Sequence, residues 1–253
     1  MAKIVAFSNQ KGGVGKTTSC VNIAAAIAKK GKSVLLIDMD PQGNATTGVN
    51  ISKRNTPHNI YEVLVGECTA NEALVRTNYK NLWIIPSTLE LAGVEYDLHQ
   101  MESHEAKLKE ILEPITSMFD YIFIDCPPSL GMITVASLTA ADGVVIPMQC
   151  EFFAMEGLTQ LLMTISKVRK HSNPKLELVG ILLTMYNGRL TQTKQVVADI
   201  KRYYADKLFA TPITRQVVLS EAPSYGEPIC YHDPYCKATL EYNDVAKELM
   251  LRI

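Results

Sequence analysis

Residues 11 to 18 read Lys-Gly-Gly-Val-Gly-Lys-Thr-Thr, three glycines, two lysines and two hydroxyls in eight positions. Glycines let consecutive backbone N–H groups curl around an anion, and a helix starting at the end of such a loop adds the positive end of its dipole. The stretch Gly12, Gly13, Val14, Gly15, Lys16, Thr17, Thr18 is therefore a candidate phosphate cradle. Lys16 stands where contacts to β- and γ-phosphates belong, the Thr17 hydroxyl where a Mg²⁺ ligand belongs, and Thr18 beside an α-phosphate. The common Gly-x-x-x-x-Gly-Lys-Ser/Thr spacing is not met, because its first glycine falls at Gln10. A tighter loop preceded by a second lysine, Lys11, stands in its place.

Three aspartates extend the chemistry. Asp38 and Asp40 follow the apolar run ending at Ile37, and Asp125 follows Tyr121 to Ile124. Ligands of α/β sheets bind outside the carboxyl ends of the strands, where these side chains would lie. A carboxylate at Asp125 suits Mg²⁺ held through a bound water. Asp40 suits the orientation of an attacking water, with Asp38 in a supporting role on the metal side. The candidate metal residues are thus Thr17, Asp38 and Asp125, and the candidate catalytic groups in this chain are Lys16 and Asp40.

Strands and helices must hold these groups in place. Continuous β-branched or apolar runs predict strands over Lys3–Phe7, Ser33–Ile37, Leu82–Ile85, Tyr121–Ile124, Val144–Pro147 and Leu178–Thr184; such runs suit strands covered on both faces. Helical patterns predict Lys16–Lys30, closed by Gly31, then Thr88–Gln100, Ser103–Ser117 with Pro114 ending or kinking it, Ala154–His171, Thr191–Ala205 and Ala238–Leu251. Thr56-Pro57 and Thr69-x-x-Glu72 read as helix starts. Alternation of the two kinds predicts an α/β fold, a P-loop NTPase with a mainly parallel, twisted sheet and helices on both faces, in one domain spanning residues 1–253.

Composition narrows the setting. The 253 residues are 47% hydrophobic and 20% charged, ordinary for a soluble globular chain. No apolar run approaches the roughly 20 residues of a membrane span. The six cysteines show no Cys-x-x-Cys pair and read as reduced cytosolic thiols, mostly in the core. The net charge of −1 conceals an asymmetry: Gln160 to Ser220 holds ten Lys or Arg against three Asp or Glu, leaving +7 there and −8 elsewhere. A local basic excess of this kind points to an anionic partner for one face, or to a solvated helical surface.

Four motifs in order carry a family resemblance: Lys11 to Thr18; Asp38-Met39-Asp40-Pro41-Gln42-Gly43-Asn44-Ala45-Thr46; Ile124-Asp125-Cys126-Pro127-Pro128-Ser129-Leu130-Gly131; and Leu219-Ser220-Glu221-Ala222-Pro223-Ser224-x-Gly226. From Lys3 to about Glu248 the chain resembles the ParA/Soj partition ATPases, of the deviant Walker-A kind. The resemblance implies a fold like the nitrogenase iron protein and MinD, with ATP and Mg²⁺ sandwiched in a two-fold homodimer. It also implies that Lys11 reaches the partner's phosphates, joining the catalytic set, and that hydrolysis is slow and stimulated by a ParB-like activator. Non-specific DNA is the implied track, and the expected location is the cytoplasm, on the nucleoid. The chain begins at its first strand, so the helix-turn-helix of larger plasmid relatives is not expected. The segment Glu241 to Ile253 carries both acidic and basic residues and reads as a docked helix rather than a membrane anchor. Two positions depart from the family: Thr214 stands where a proline is usual, and Val218 where an arginine associated with DNA is usual.

The basic stretch supplies the candidate DNA-binding residues Arg189, Lys194, Lys201, Arg202 and Arg215, with Lys167, Arg169 and Lys170 nearby. Nothing there reads base edges, so binding is expected to be non-specific and salt-dependent. Two other readings stay open: a related ATPase positioning another cargo on DNA or membrane, and a P-loop small-molecule kinase or amidoligase.

Overall fold

The computed structural model describes residues 1–99, 104–151 and 154–253. One seven-stranded sheet runs through it: β1 Lys3–Phe7, β2 Val34–Asp38, β3 Val75–Arg76, β4 Leu82–Ile85, β5 Tyr121–Asp125, β6 Gly143–Gln149 and β7 Glu177–Thr184. The spatial order is β3-β4-β2-β5-β1-β6-β7, with all neighbours parallel except the β3–β4 edge pair. The helices are α1 Lys16–Lys29, α2 Asn44–Gly48, α3 Ile60–Val65, α4 Val94–His99, α5 Lys107–Leu112, α6 Met132–Ala140, α7 Ala154–His171, α8 Thr191–Tyr204, α9 Val218–Glu221, α10 Ile229–His232 and α11 Lys237–Arg252. Short 3₁₀ turns fill Leu89–Gly93, Glu113–Met118 and Ala222–Tyr225.

Alternation along β1 explains why its run is apolar throughout. Ile4 and Ala6 feed one core with residues of α3 to α8, while Val5 and Phe7 feed a second core with α1 and α11. Consecutive side chains of a strand point to opposite faces, so a sheet covered twice needs apolar residues at every position. The second core is built on small residues: Ala24, Ala25, Ala26 and Ala28 of α1 are all buried, which lets the helix lie close to the sheet. Helix α11 docks on α1 through Tyr242, Val245, Ala246 and Leu249, and the hydroxyls of Ser19 and Tyr242 meet at 3.3 Å.

Most predicted elements match to within a residue or two, and the differences have local causes. β2 and β5 each run one residue further, taking Asp38 and Asp125 into the ladder. The expected helix start at Thr56-Pro57 is irregular, with a bend at Pro57; α3 begins later, at the capping box of Asn59 and Glu62. The Thr69/Glu72 box forms its hydrogen bonds but closes a single turn. Thr88–Gln100 is a 3₁₀ turn followed by α4, and Gln100 lies outside the described residues, as does Ser103. Beyond Ser103, α5 gives way to a 3₁₀ turn at Glu113–Met118, where Pro114 withholds its N–H. Three of the six cysteines are buried and three are half-buried, fewer in the core than the sequence implied, and all six are free.

Candidate phosphate and metal site

β1 ends at Phe7 and α1 begins at Lys16, so residues 8–15 bridge strand and helix at the carboxyl edge of the sheet. The loop hangs from its own carbonyls. Lys16 Nζ donates to Lys11 O at 3.1 Å, Gln149 Nε2 to Gly13 O at 2.9 Å, and the buried Thr184 hydroxyl to Val14 O at 2.7 Å. Asn9 anchors the entrance, donating to Pro147 O and accepting from Lys11 N. With two of these carbonyls tied to strand ends and the third to Lys16, the N–H groups of Gly12, Gly13 and Gly15 meet no acceptor among the described residues. Gly13 and Gly15 have φ of 72° and 80°, the left-handed values that aim successive N–H groups into one concavity. Lys16 is buried; burial lowers its pKa, and the charges of Asp125, Cys126 and Asp40 oppose that.

The parallel register sets Asp38 of β2 directly beside Asp125 of β5. Both are fully buried, yet their surroundings differ. Asp38 accepts from Thr46 N, Thr46 Oγ1 and Asp40 N at 2.7–3.2 Å. Its oxygens thus organise the loop from β2 to α2, and burial still pushes its pKa up to about 6. Neither oxygen of Asp125 makes a hydrogen bond. Burial and the neighbouring Asp38 charge raise its pKa, with the Thr17 hydroxyl and Lys16 pulling the other way. An orphaned buried carboxylate with a hydroxyl beside it is a hard oxygen donor set that fits Mg²⁺. Asp40, just past β2, is buried and accepts from Gln42 N at 2.9 Å. Lys11 lies at the mouth of the loop, half-exposed, with its ammonium on Glu151.

Residues 2–178 match the AAA_31 family model, an AAA domain. The chain is 49% identical over 249 residues to the sporulation initiation inhibitor protein Soj of Bacillus subtilis, covering 98% of each. It is 44% identical to the chromosome partitioning protein ParA of Caulobacter vibrioides, covering 99% of this chain and 94% of that one. The chain belongs to the ParA/Soj family of partition ATPases. Among solved structures it resembles a cobyrinic acid a,c-diamide synthase from Mycobacterium smegmatis with bound ATP analogue and magnesium, at TM-score 0.86 and 37% identity over 99% of this chain and 95% of that one.

Two further surfaces of this ParA/Soj chain adjoin the loop. A cleft of about 220 Å³ opens beside Gly15 and Thr18, walled by Thr184, Met185, Thr214, Gln216 and Tyr242. The unusual Thr214 is held there by Glu241 of α11, which accepts from its N–H at 2.9 Å and its hydroxyl at 2.8 Å, while Gln216 donates to both. The second surface is basic. Arg189, Lys194, Lys201, Arg202 and Arg215 are all exposed, as are Lys167, Arg169 and Lys170 on α7. None of the eight forms an ion pair among the described residues. Buried Thr193, Val196 and Ile200 define the inner face of α8, which turns Lys194, Lys201 and Arg202 to solvent. Tyr186 N donates to Ile213 O, bringing the segments of Arg189 and Arg215 together.

Sequence reasoning passed over Asn9, Gln149 and Thr184. The last two end strands β6 and β7, so the rule that ligands bind at strand carboxyl ends was the signal available for them. Thr46 sat inside a quoted motif without a role, and Glu151 carried no signal at all.

Proposed function

We propose that this partition ATPase, one nucleotide-binding domain over residues 1–253, uses Mg-ATP to form a two-fold dimer that holds DNA without regard to sequence. A ParB-like activator then speeds hydrolysis and releases the DNA. In this reading the N–H groups of Gly12 to Gly15, with Lys16 and Thr18, hold the triphosphate. The base enters the cleft walled by Thr184 and Thr214. Thr17 and Asp125 hold Mg²⁺, Asp125 through water, and Asp38 positions the loop that carries Asp40. Mg²⁺ supplies charge neutralisation on the β- and γ-phosphates. Asp40 orients the attacking water. Lys11 leaves Glu151 for the partner's phosphates, a charge-assisted contact available only in the closed dimer. The chain acts in the cytoplasm, on the nucleoid.

The observation that carries the DNA reading is the set of eight exposed cations without ion-pair partners among the described residues. Free cations can release counterions from a phosphate backbone, and a dimer presents the set twice. The test is binding of an arbitrary duplex by the full chain with Mg-ATP and with Mg-ADP, across a salt series. Tight, salt-sensitive binding with ATP alone is expected. If the Mg-ATP form ignores duplex DNA even at low salt, the DNA reading fails and another track or cargo takes its place.

The likeness to a diamide synthase favours a second reading, a small-molecule amidoligase. It predicts ATP turnover only when a carboxylic acceptor and an amide donor are supplied. Turnover by the chain alone, raised by DNA and a ParB-like protein, excludes it.

A further inference from the structure

Among the described residues, one group of three metal-ligating side chains has its donor atoms within 4.8 Å of one another: His58, Glu62 and Cys68. We propose that these three residues form a thiolate-containing transition-metal site, suited above all to Zn²⁺, separate from the nucleotide site. Local structure brings them together. Asn59 caps α3, with Glu62 Oε2 accepting from Asn59 N at 2.8 Å, so His58 and Glu62 fall on the same side of the first turn. Gly66 then ends the helix at φ 86°, and the chain doubles back: Glu67 N and Cys68 N both donate to Glu62 O, at 2.8 and 3.4 Å. The reversal returns the Cys68 sulfur to the carboxylate of Glu62.

Geometry and chemistry agree on a metal. Four-coordinate zinc with bonds of about 2.0–2.3 Å separates neighbouring donors by roughly 3.3–3.8 Å. His58 Nδ1 and Glu62 Oε2 already stand 3.4 Å apart, and the 4.8 Å limit of the group closes with a side-chain rotation. His58 Nδ1 is buried and makes no hydrogen bond, and it stands against the Glu62 carboxylate. An imidazole, a carboxylate and a thiol are the ligand types that zinc shares among its sites, with one position left for water. The hydrogen bond from Asn59 fixes the carboxylate, as outer contacts do for metal ligands. Glu67 and Glu72 add negative charge beside Cys68. The free thiol is no reactive nucleophile, since burial first, then the Glu62, Glu72 and Glu67 carboxylates, push its pKa up to about 11. Metal binding breaks the S–H bond, forms the sulfur–metal bond and releases the proton to solvent.

Titration of the reduced, chelator-treated full chain with Co²⁺ in excess Mg²⁺ tests the site. Expected are one equivalent bound per chain, a sulfur-to-cobalt charge-transfer band, and displacement of the cobalt by Zn²⁺. Cys68→Ser should lose the band, and His58→Ala and Glu62→Gln should each weaken binding at least tenfold. Glutamine retains the helix cap, so Glu62→Gln tests the ligand without the fold. All three variants should bind ATP as the wild type does. No band in the wild type, or the same band in Cys68→Ser, overturns the proposal, the latter by assigning the metal to the half-buried Cys150 or Cys236.

Discussion

Replacing Asp125 by Asn tests how the site stands before a nucleotide arrives. The carboxylate is fully buried, has no hydrogen-bond partner and shares the end of the sheet with Asp38. Burial first, then the Asp38 charge, raises its pKa. The folded chain therefore holds this proton more tightly than the unfolded chain does. Stability from that proton is fully present below the ordinary carboxylate pKa and is lost as pH rises through the folded value. Asparagine keeps the shape and removes the charge. A buried charge compensated only in part costs about 1–3 kcal/mol or more. Near neutral pH the nucleotide-free variant should gain about that much, which for a chain of this size raises Tm by roughly 2–10 °C. At a pH near 4, the ordinary carboxylate value, the gap should close. With Mg-ATP in excess the order should reverse, because binding to the folded state stabilises only the chain that can hold the metal. Thermal unfolding at two pH values, with and without Mg-ATP, reads all of this. A nucleotide-free Asp125→Asn less stable than wild type at neutral pH would mean that the carboxylate is already compensated, and the cation-site argument would fall.

Three other substitutions address separate steps. Lys16→Ala removes the cradle's buried cation and should weaken ATP binding about 100-fold, the worth of a charge-assisted contact; near-native affinity by calorimetry would remove Lys16 from the phosphate site. Asp40→Ala should bind ATP and stay dimeric while turnover falls about 10²–10⁴-fold, and a wild-type rate in a phosphate-release assay would shift the role to Asp38. Arg189→Glu should retain ATP binding and dimerisation but lose DNA, since a repulsive charge appears twice per dimer. Residual binding should show a logarithmic salt slope shallower by about 1.8, two contacts at ~0.9 each; an unchanged slope would take Arg189 out of the interface.

The parts legible in the sequence were those written in contiguous residues. The glycine-rich loop between a strand and a helix is spelled by Lys11 to Thr18, and helix Ala154–His171 by a long apolar period, so both elements appear where expected. The two-faced sheet was legible because Val34 to Ile37 and Tyr121 to Ile124 have no polar side. What failed was short or cooperative. The two-residue strand β3 has too little pattern to read, and α6 has no charged residue while its hydroxyls, Thr134, Ser137 and Thr139, are all buried, so no polar face sets a period. Asn59 won the start of α3 from Thr56 because its side chain and Glu62 satisfy each other's backbone donors, which residue types alone do not reveal. Long-range partners were illegible for a deeper reason. Thr184 and Val14, or Gln149 and Gly13, meet only after the sheet has set its strand order.

That strand order also explains why the site is costly without its ligand. Pairing β2 with β5 forces two buried carboxylates together, and the same sheet end holds a desolvated lysine and a concavity of N–H groups without acceptors among the described residues. Burial makes the paired carboxylates and the lysine costly to the fold, and in the proposed function each feature is complementary to one part of a magnesium–triphosphate complex. In the proposed function the metal would meet Asp125, the phosphates would meet Lys16 and the N–H groups, and a cation would relieve the repulsion between Asp38 and Asp125. Groups fixed in advance by the sheet need little reorganisation when the ligand binds. Because nucleotide binds the folded state, its affinity and the chain's stability are thermodynamically linked. A variant that stabilises the empty site should for that reason bind nucleotide less well, and Asp125→Asn is the cleanest place to see the exchange.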